Sequence, residues 1–352
     1  MNERITQLDG LRAIAIMAVF SHHAFETKLA WMGVDLFFIL SGFLITDILI
    51  RSRHRGLPDY LGSFYGRRIR RVLPPYLLLL AITCVLFGVW WLRSWYYYPG
   101  FMNLMLITHA KFPDSLAILW SLAVEEQFYI VWPFIVFFLS ERWIAGLSVF
   151  LVLLAPSLRW FCTPLFPDYV PIYAETPFRM DLLAIGALVS IVWRKRRALI
   201  ETYGMYGIPI SLCGLYELVL LGHFAHIKRT AHTPMSNLLS YEFSLVICLG
   251  LFVWALSGWR VGVLQLKPLQ YIGRISYSLY LIHLTALMVC WKYFGFRSYT
   301  SAGLAAVIAC AYAALSWKYL EQPILSSGYP ARRRFVSIVP PSSSAATVRA
   351  RL

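Results

Sequence analysis

An arginine and a histidine eleven positions apart are the first residues whose types and spacing could do chemistry. The segment Asp9-Gly-Leu-Arg12 is followed by ten residues and then by His23. Eleven steps of an α-helix end about 20° past three full turns, with roughly 16 Å of rise, so Arg12 and His23 share one face. An imidazole can act as a general base or a nucleophile, and a guanidinium binds anions. His22 points about 100° away, which favours His23 as the reactive group.

A carboxylate that could orient His23 lies in the next apolar segment, at Asp35. If the first helix ends near Glu26 and the second begins near Trp31, His23 and Asp35 lie at similar depths in adjacent antiparallel helices. A carboxylate in that place can fix the tautomer of an imidazole. Gly42, on the same face as Asp35, would let these two helices approach closely. The alternative is that His23 is a core histidine bonded to a neighbouring helix.

A cationic cluster precedes the third apolar segment. Its four arginines are Arg67, Arg68, Arg70 and Arg71. Because guanidinium groups bind phosphate through two donors, the cluster predicts a site for a phosphorylated ligand, which Arg12 would extend toward the membrane interior. The alternative is that these arginines bind the phosphates of lipid headgroups.

Glu125 and Tyr129 are four residues apart in a later apolar segment, and Trp120 precedes them. We expect these three side chains to face the outer side, where they could bind an acceptor or support an oxyanion. The alternative is that Glu125 and its neighbour Glu126 simply lie at the membrane interface.

Two further polar patterns have plainer structural interpretations. Arg179 and Asp181 are predicted to form an ion pair at the outer edge of the membrane. Ser276, Tyr280 and His283 share one helix face and are predicted to form hydrogen bonds between helices.

The elements that must position these residues are membrane helices. Of the 352 residues, 59% are hydrophobic and only 14% are charged, whereas about 25% are charged in an ordinary soluble protein. Ten apolar runs are long enough to cross a hydrocarbon layer of about 30 Å. They lie at 11–27, 31–50, 72–92, 117–140, 143–160, 178–193, 204–222, 236–258, 275–294 and 301–319. The sequence therefore predicts an all-α, polytopic integral membrane protein, with a short interfacial or re-entrant helix at 100–110.

The net charge of +15 is mostly an orientation signal. Most Lys and Arg residues fall on the side of the predicted spans that holds the termini, including the arginines within 51–71. The positive-inside rule then places both termini in the cytoplasm and argues against a nucleic-acid partner. Cysteine positions predict no disulfide and no metal site. We expect a membrane domain over 1–325 and a disordered, basic cytoplasmic tail over 326–352.

Taken together, the segments resemble the acyltransferase 3 family, the membrane O-acyltransferases that modify bacterial surface glycans, Nod factors and some macrolides. The matching pieces are Asp9-Gly-Leu-Arg12 with His23; Gly33-Val-Asp35 through Ser41-Gly-Phe43; Arg67, Arg68, Arg71 and Pro74; Trp120-Ser-Leu with Glu125 and Tyr129; Arg179 with Asp181 and Gly186; Ile275 through Tyr280 with His283; and Glu321 with Pro323. They occur in family order over nearly the whole chain.

The resemblance implies ten membrane helices in the bacterial inner membrane, an acyl-CoA donor (usually acetyl-CoA) from the cytoplasm, and an acceptor hydroxyl on the far side. The essential arginine and histidine of the family correspond to Arg12 and His23, and its positively charged cytoplasmic motif corresponds to Arg67, Arg68 and Arg71. Some members carry a periplasmic hydrolase-like domain after the last helix; none follows here, so we expect a stand-alone form.

These expectations combine into one mechanism. The phosphates of CoA bind among the cytoplasmic arginines, the pantetheine arm passes Arg12, and the thioester reaches His23. His23, held by Asp35, acts as general base or as a transient acyl carrier. Two alternatives remain. The protein could be a transporter or flippase of a glycan or small solute, or it could be a structural subunit of a polysaccharide synthase. The acceptor stays open among lipopolysaccharide, exopolysaccharide, Nod factor and macrolide.

Overall fold

The computed structural model describes residues 5–108 and 111–327, and no strand occurs among them. Its α-helices are α1 (Gln7–Phe25), α2 (Met32–Ser52), α3 (Leu57–Phe87), α4 (Met102–Ile107), α5 (Leu119–Phe138), α6 (Glu141–Cys162), α7 (Val170–Ala174), α8 (Met180–Tyr203), α9 (Gly207–Phe224), α10 (Pro234–Ser257), α11 (Lys267–Phe294), α12 (Tyr299–Ser316) and α13 (Gln322–Ser327). The predicted tail, 326–352, lies outside the described residues except for its first two positions, where α13 ends.

Eight segments of the described chain are long and apolar enough to cross a membrane. One of them, Met180–Ala231, has 52 residues and contains two helices, α8 and α9. The 19-residue α1 is not among the eight, because it carries four ionisable side chains. Long apolar helices are expected in lipid, since a helix satisfies its backbone polar groups internally. The chain is a polytopic, all-α, multi-pass membrane protein, as the sequence predicts.

The cationic cluster lies within a helix and not before one. The third span was predicted at 72–92, whereas α3 begins at Leu57 and continues through Pro74 and Pro75 to Phe87. The arginines at 67–71 are therefore held on the first half of α3, where helical geometry sets their directions.

Two close helix pairs organise the bundle: α2 packs along α8, and α1 packs along α11. A Cβ atom at Gly42 of α2 would collide with the backbone of Leu183 in α8, and one at Gly186 of α8 would collide with the backbone of Ile39 in α2. The prediction that Gly42 brings α2 to α1 is therefore wrong. Gly33 makes that approach, because its Cβ would meet the carbonyl oxygen of Ala15.

The predicted ion pair between Arg179 and Asp181 does not form. Arg179 instead pairs with Asp35 of α2, and Asp181 pairs with Arg159 of α6 at 2.6 Å. Arg159 also contacts Glu242 of α10 at 2.5 Å. A buried charge needs a partner close by, and these pairs join four helices across the bundle.

A polar cluster of Asn103, Glu175 and Gln127 holds the short helix α4 in place. The Asn103 side chain donates to Glu175 at 3.1 Å, and Gln127 of α5 donates to Asn103 at 3.1 Å and to the carbonyl of Gly100 at 2.8 Å. Burial raises the pKa of Glu175 to about 7. The predicted helix at 100–110 is thus present as the six residues of α4, while 109–110 lie outside the described residues.

Candidate active site

A large, strongly basic opening lies at the face of the bundle where α1 begins. This opening, the arginine vestibule, has a volume of about 730 Å³. In the described part of the chain its charged lining residues are Asp9, Arg12, Arg55, Arg67, Arg68, Arg70, Arg71 and Arg274. One carboxylate among so many guanidinium groups makes this opening a favourable environment for an anion.

A narrower inner cavity, of about 140 Å³, adjoins the vestibule and shares Arg12, Arg68 and Arg71 with it. Arg68 and Arg71 are three residues apart on α3 and so project to the same side, whereas Arg67 is turned about 100° from Arg68. The Arg67 side chain is exposed and donates to the Ser63 hydroxyl. Of the three predicted ligand-binding arginines on α3, the structure brings two into the inner cavity and leaves Arg67 in the vestibule.

Arg12 stands at the junction of the two spaces. Its Nη1 atom lies 3.1 Å from the carboxylate of Asp9, one turn earlier on α1, and its side chain is 28% exposed. A partly exposed guanidinium with a partner on one side keeps further donors for a ligand on the other. The position agrees with the prediction that Arg12 extends the cationic cluster inward.

Glu125 and Tyr129 form one wall of the inner cavity. The Tyr129 hydroxyl donates to Glu125 at 3.1 Å and also shares a hydrogen bond with the Ser41 hydroxyl. The guanidinium of Arg68 lies 5.1 Å from the centre of the Tyr129 ring, which is a cation–π distance. The structure therefore places Glu125 and Tyr129 with the arginines, and not on a separate outer surface as predicted.

Trp120 does not join this group. Its ring centre lies 4.5 Å from that of Tyr173 and 6.0 Å from that of Phe38, and the guanidinium of Arg179 lies 5.9 Å from its ring. The side chain is buried among aromatic groups. The grouping of Trp120 with Glu125 and Tyr129 in one binding surface is therefore wrong.

The inner cavity ends at Tyr280 of α11. Its hydroxyl donates to the carbonyl of Ile118 at 3.1 Å and shares a hydrogen bond of 2.5 Å with the Ser121 hydroxyl. Phe37 also lines this end and packs edge-on against the Tyr280 ring at 6.2 Å. His23 is described by the structure but is not among the residues that line the cavity.

His23 lies beyond Tyr280, near the opposite end of α1, and its partner is a second histidine. Its Nδ1 atom lies 3.2 Å from Nε2 of His283 and 3.0 Å from the carbonyl oxygen of Val19. His283 is fully buried, and its ring lies 5.5 Å from the Tyr280 ring. No group of three or more His, Cys, Asp or Glu residues that could hold a metal occurs among the described residues.

Asp35 does not orient His23, which corrects the prediction. Its two carboxylate oxygens accept from Arg179 and, at 2.6 Å, from the Ser244 hydroxyl. The reason is the helix pairing: Asp35 lies on the α2 surface that faces α8 and α10, whereas His23 lies on the α1 surface that faces α11.

The sequence did not predict that His283 is the partner of His23. It also did not predict that Tyr280 and Ser121 line the inner end of the cavity. One signal was available, because Ser276, Tyr280 and His283 share a helix face. Ser276 and Tyr280 line the cavity, and His283 follows at the next turn. The sequence did not show that this face meets α1.

Fold and site together define a class: a polytopic membrane protein with an arginine vestibule at its basic face and a pair of histidines deeper in the bundle. A family model described as an acyltransferase domain matches residues 5–317. The chain belongs to this family, acyltransferase 3.

Several curated relatives of the chain are O-acetyltransferases by name. It is 25% identical over 356 residues to O-acetyltransferase OatA of Staphylococcus aureus, covering 92% of this chain and 58% of that protein. It is 27% identical over 358 residues to peptidoglycan O-acetyltransferase OatA of Listeria monocytogenes, covering 92% of this chain and 56% of that protein. The chain thus spans little more than half the length of these relatives. No solved structure matches the chain significantly.

Proposed function

We propose that this protein is a membrane O-acetyltransferase that transfers an acetyl group from acetyl-CoA to a hydroxyl of a surface carbohydrate. The observation that carries the proposal is that the arginine vestibule and the inner cavity share Arg12, Arg68 and Arg71, and that Tyr280, which lines the inner cavity, has its ring 5.5 Å from that of His283, the partner of His23. A relative named for peptidoglycan supports a peptidoglycan-type glycan as the acceptor.

The donor enters from the basic face. The phosphates of CoA bind the vestibule arginines, and the pantetheine arm extends past Arg12 into the inner cavity. Lipid phosphates could occupy the rim of the vestibule, but they do not account for Arg12, Arg68 and Arg71 around a buried cavity. By the positive-inside rule this face lies in the cytoplasm. Membership of the acyltransferase 3 family supports a place in the bacterial inner membrane.

Glu125 and Tyr129 act at the donor end in this proposal. The Tyr129 ring lies against the Arg68 guanidinium, and Glu125 accepts a hydrogen bond from the Tyr129 hydroxyl, so the two residues hold Arg68 where the vestibule meets the cavity. Tyr280 lines the cavity and its ring lies 5.5 Å from that of His283, so in this proposal the thioester passes Tyr280 before it reaches His23. The acceptor approaches His23 from the opposite face, where α1 ends at Phe25.

His23 carries the chemistry through its Nε2 atom. That nitrogen takes the proton of the acceptor hydroxyl, the hydroxyl oxygen bonds to the acyl carbon, the C–S bond breaks, and the thiolate of CoA receives the proton. A two-step route also balances: Nε2 bonds to the acyl carbon as the C–S bond breaks and CoA leaves as its thiolate, the acceptor oxygen then takes the acyl carbon from Nε2, and the hydroxyl proton goes to the thiolate of CoA. Either route moves an acetyl group across the membrane while CoA stays on one side.

The test compares His23→Ala with His22→Ala. His22 is the matched control because it is the chain neighbour of His23 and bonds through its ring to the carbonyl of Thr27, at the end of α1. Purified variants receive radiolabelled acetyl-CoA and soluble peptidoglycan fragments, and both CoA release and acetylated carbohydrate are measured. We expect His23→Ala to slow transfer by about 10²–10⁴-fold, the usual contribution of a general base, and His22→Ala to leave it unchanged. Transfer by His23→Ala at the normal rate would refute the assignment.

The same assay distinguishes the transferase from the alternative of a transporter or flippase. A transporter or flippase would release no CoA from acetyl-CoA, whether or not a carbohydrate is present. Acceptor-dependent release of CoA supports the transferase.

A further inference from the structure

The second histidine, His283, is held in one orientation by its own helix. Its Nδ1 atom lies 2.6 Å from the carbonyl oxygen of Tyr280, one turn earlier on α11. A carbonyl oxygen only accepts, so Nδ1 of His283 carries the proton. A neutral imidazole has one N–H, and Nε2 of His283 is therefore an acceptor.

That acceptor faces His23. The Nδ1 atom of His23 lies 3.2 Å from Nε2 of His283 and 3.0 Å from the carbonyl oxygen of Val19, so both of its neighbours accept. Only an N–H at Nδ1 satisfies both contacts. Nε2 of His23 is then the unprotonated nitrogen, with a lone pair free for chemistry.

The two contacts restrain the His23 ring from two helices. The carbonyl of Val19 belongs to α1, one turn before His23, whereas His283 belongs to α11. The Gly273 backbone of α11 packs directly on the Asp9 carbonyl of α1, which fixes the distance between the two helices. Around His283, the rings of Phe20 and Tyr280 lie 6.5 Å and 5.5 Å away and restrict its rotation.

We propose that His283 is the positioning residue of this site: through its Nε2 lone pair it fixes the tautomer and ring direction of His23. This inference rests on the proposed role of His23 in acyl transfer. When His23 takes the acceptor proton on Nε2, the resulting imidazolium keeps its Nδ1–H bond to His283, and the Nε2 proton leaves with CoA. No proton passes to His283, and both the base and the acyl-carrier routes need the same free Nε2 atom.

The test is a pair of amide substitutions, His283→Gln and His283→Asn. The glutamine amide reaches the place of Nε2 and can accept from His23, whereas the asparagine amide reaches only the place of Nδ1. We expect His283→Asn to lower kcat by about 10–100-fold with KM for acetyl-CoA unchanged, and His283→Gln to restore kcat to within about 10-fold of wild type. The loss should be smaller than the ~10⁴ seen when the tautomer-fixing partner of a triad histidine is changed, because the Val19 carbonyl remains.

Two controls separate this inference from the proposed function. In the His23→Ala background, His283→Asn should cause no further loss, because a positioning residue acts only through the residue that it positions. Acetyl-CoA binding and thermal unfolding of each purified variant report whether the fold is retained. Two results would overturn the positioning role of His283: equal kcat values for His283→Gln and His283→Asn, or a loss of activity that appears in KM and not in kcat. Neither result would affect the proposed role of His23. Normal transfer by His23→Ala would instead overturn the proposed function itself.

Discussion

Asp35 illustrates how much a single residue's role depends on its contacts. Its carboxylate is fully buried and accepts from Arg179 and Ser244. Arg179 is also fully buried, and its Nε and Nη1 atoms have no partner among the described residues. Asp35 is therefore the group that compensates a buried guanidinium, and its first effect is on stability.

Replacing Asp35 by Asn should lower the stability of the protein, and any loss of acetyl transfer should follow from that lower stability. Breaking a buried ion pair by removing one partner costs about 3–5 kcal/mol, since the other charge stays buried. We expect a lowered thermal unfolding temperature and less protein in the membrane. Adding Arg179→Met should recover part of the stability, because the uncompensated charge is then gone. If the Asp35→Asn variant has a normal unfolding temperature but no acetyl transfer, Asp35 acts directly in catalysis and this prediction is wrong.

At the scale of helices, the pairing of α2 with α8 and of α1 with α11 decides which side chains meet. The Arg12–His23 spacing could be predicted from the sequence, because it depends only on the 100° step of one helix. The existence of the spans could also be predicted, since it depends on local hydropathy. The partner of His23 could not, because it depends on which of several apolar helices lies beside α1. Sequence adjacency suggested α2 and hence Asp35, whereas α11 provides His283 from 260 residues away.

Substitution of the contact glycines tests this pairing. A Cβ at Gly186 would collide with the backbone of Ile39, so Gly186→Ala should destabilise the α2–α8 pair by about 1–3 kcal/mol, the usual cost of overpacking. Gly303 of α12 is the matched control, because a Cβ there meets nothing within 4 Å. Gly303→Ala should leave stability unchanged or raise it by up to about 1 kcal/mol through helix propensity. Thermal unfolding in detergent measures both, and equal effects would contradict the close packing of α2 on α8.

Over the whole molecule, positive charge gathers at one face, where the arginine vestibule opens. This charge predicts the orientation of the chain in the membrane, and in the proposed function part of it also binds the donor. Orientation needs only positive charge near the ends of spans. In the proposed function the partly buried Arg12, Arg68 and Arg71 also bind the donor, since a charge beside a membrane cavity is costly unless it has a partner. The sequence predicted this cluster but could not separate its two uses, since burial is a property of the folded bundle.

The substitutions Arg68→Gln and Arg67→Gln should separate donor binding from the effect of the cluster on orientation. Arg68 lines both the vestibule and the inner cavity, whereas Arg67 lines only the vestibule. A hydrogen bond to a charged group contributes about 1.5–3 kcal/mol, so Arg68→Gln should weaken acetyl-CoA binding by roughly 10–100-fold, and Arg67→Gln by less. Replacing both should weaken it further without lowering the unfolding temperature.

The control for these arginines is Lys267→Gln, at the exposed start of α11 about two turns before Arg274. Lys267 is not among the vestibule-lining residues, so its loss should leave acetyl-CoA binding unchanged. Equilibrium binding of radiolabelled acetyl-CoA to the purified proteins, at low and at physiological salt, measures all of these variants. Binding of the donor should weaken with salt in the wild type, and less steeply in Arg68→Gln, because that variant has lost a charge that contacts the phosphates. Unchanged affinity in the double arginine variant would instead assign the cluster to lipid headgroups, and the donor would then have to enter elsewhere.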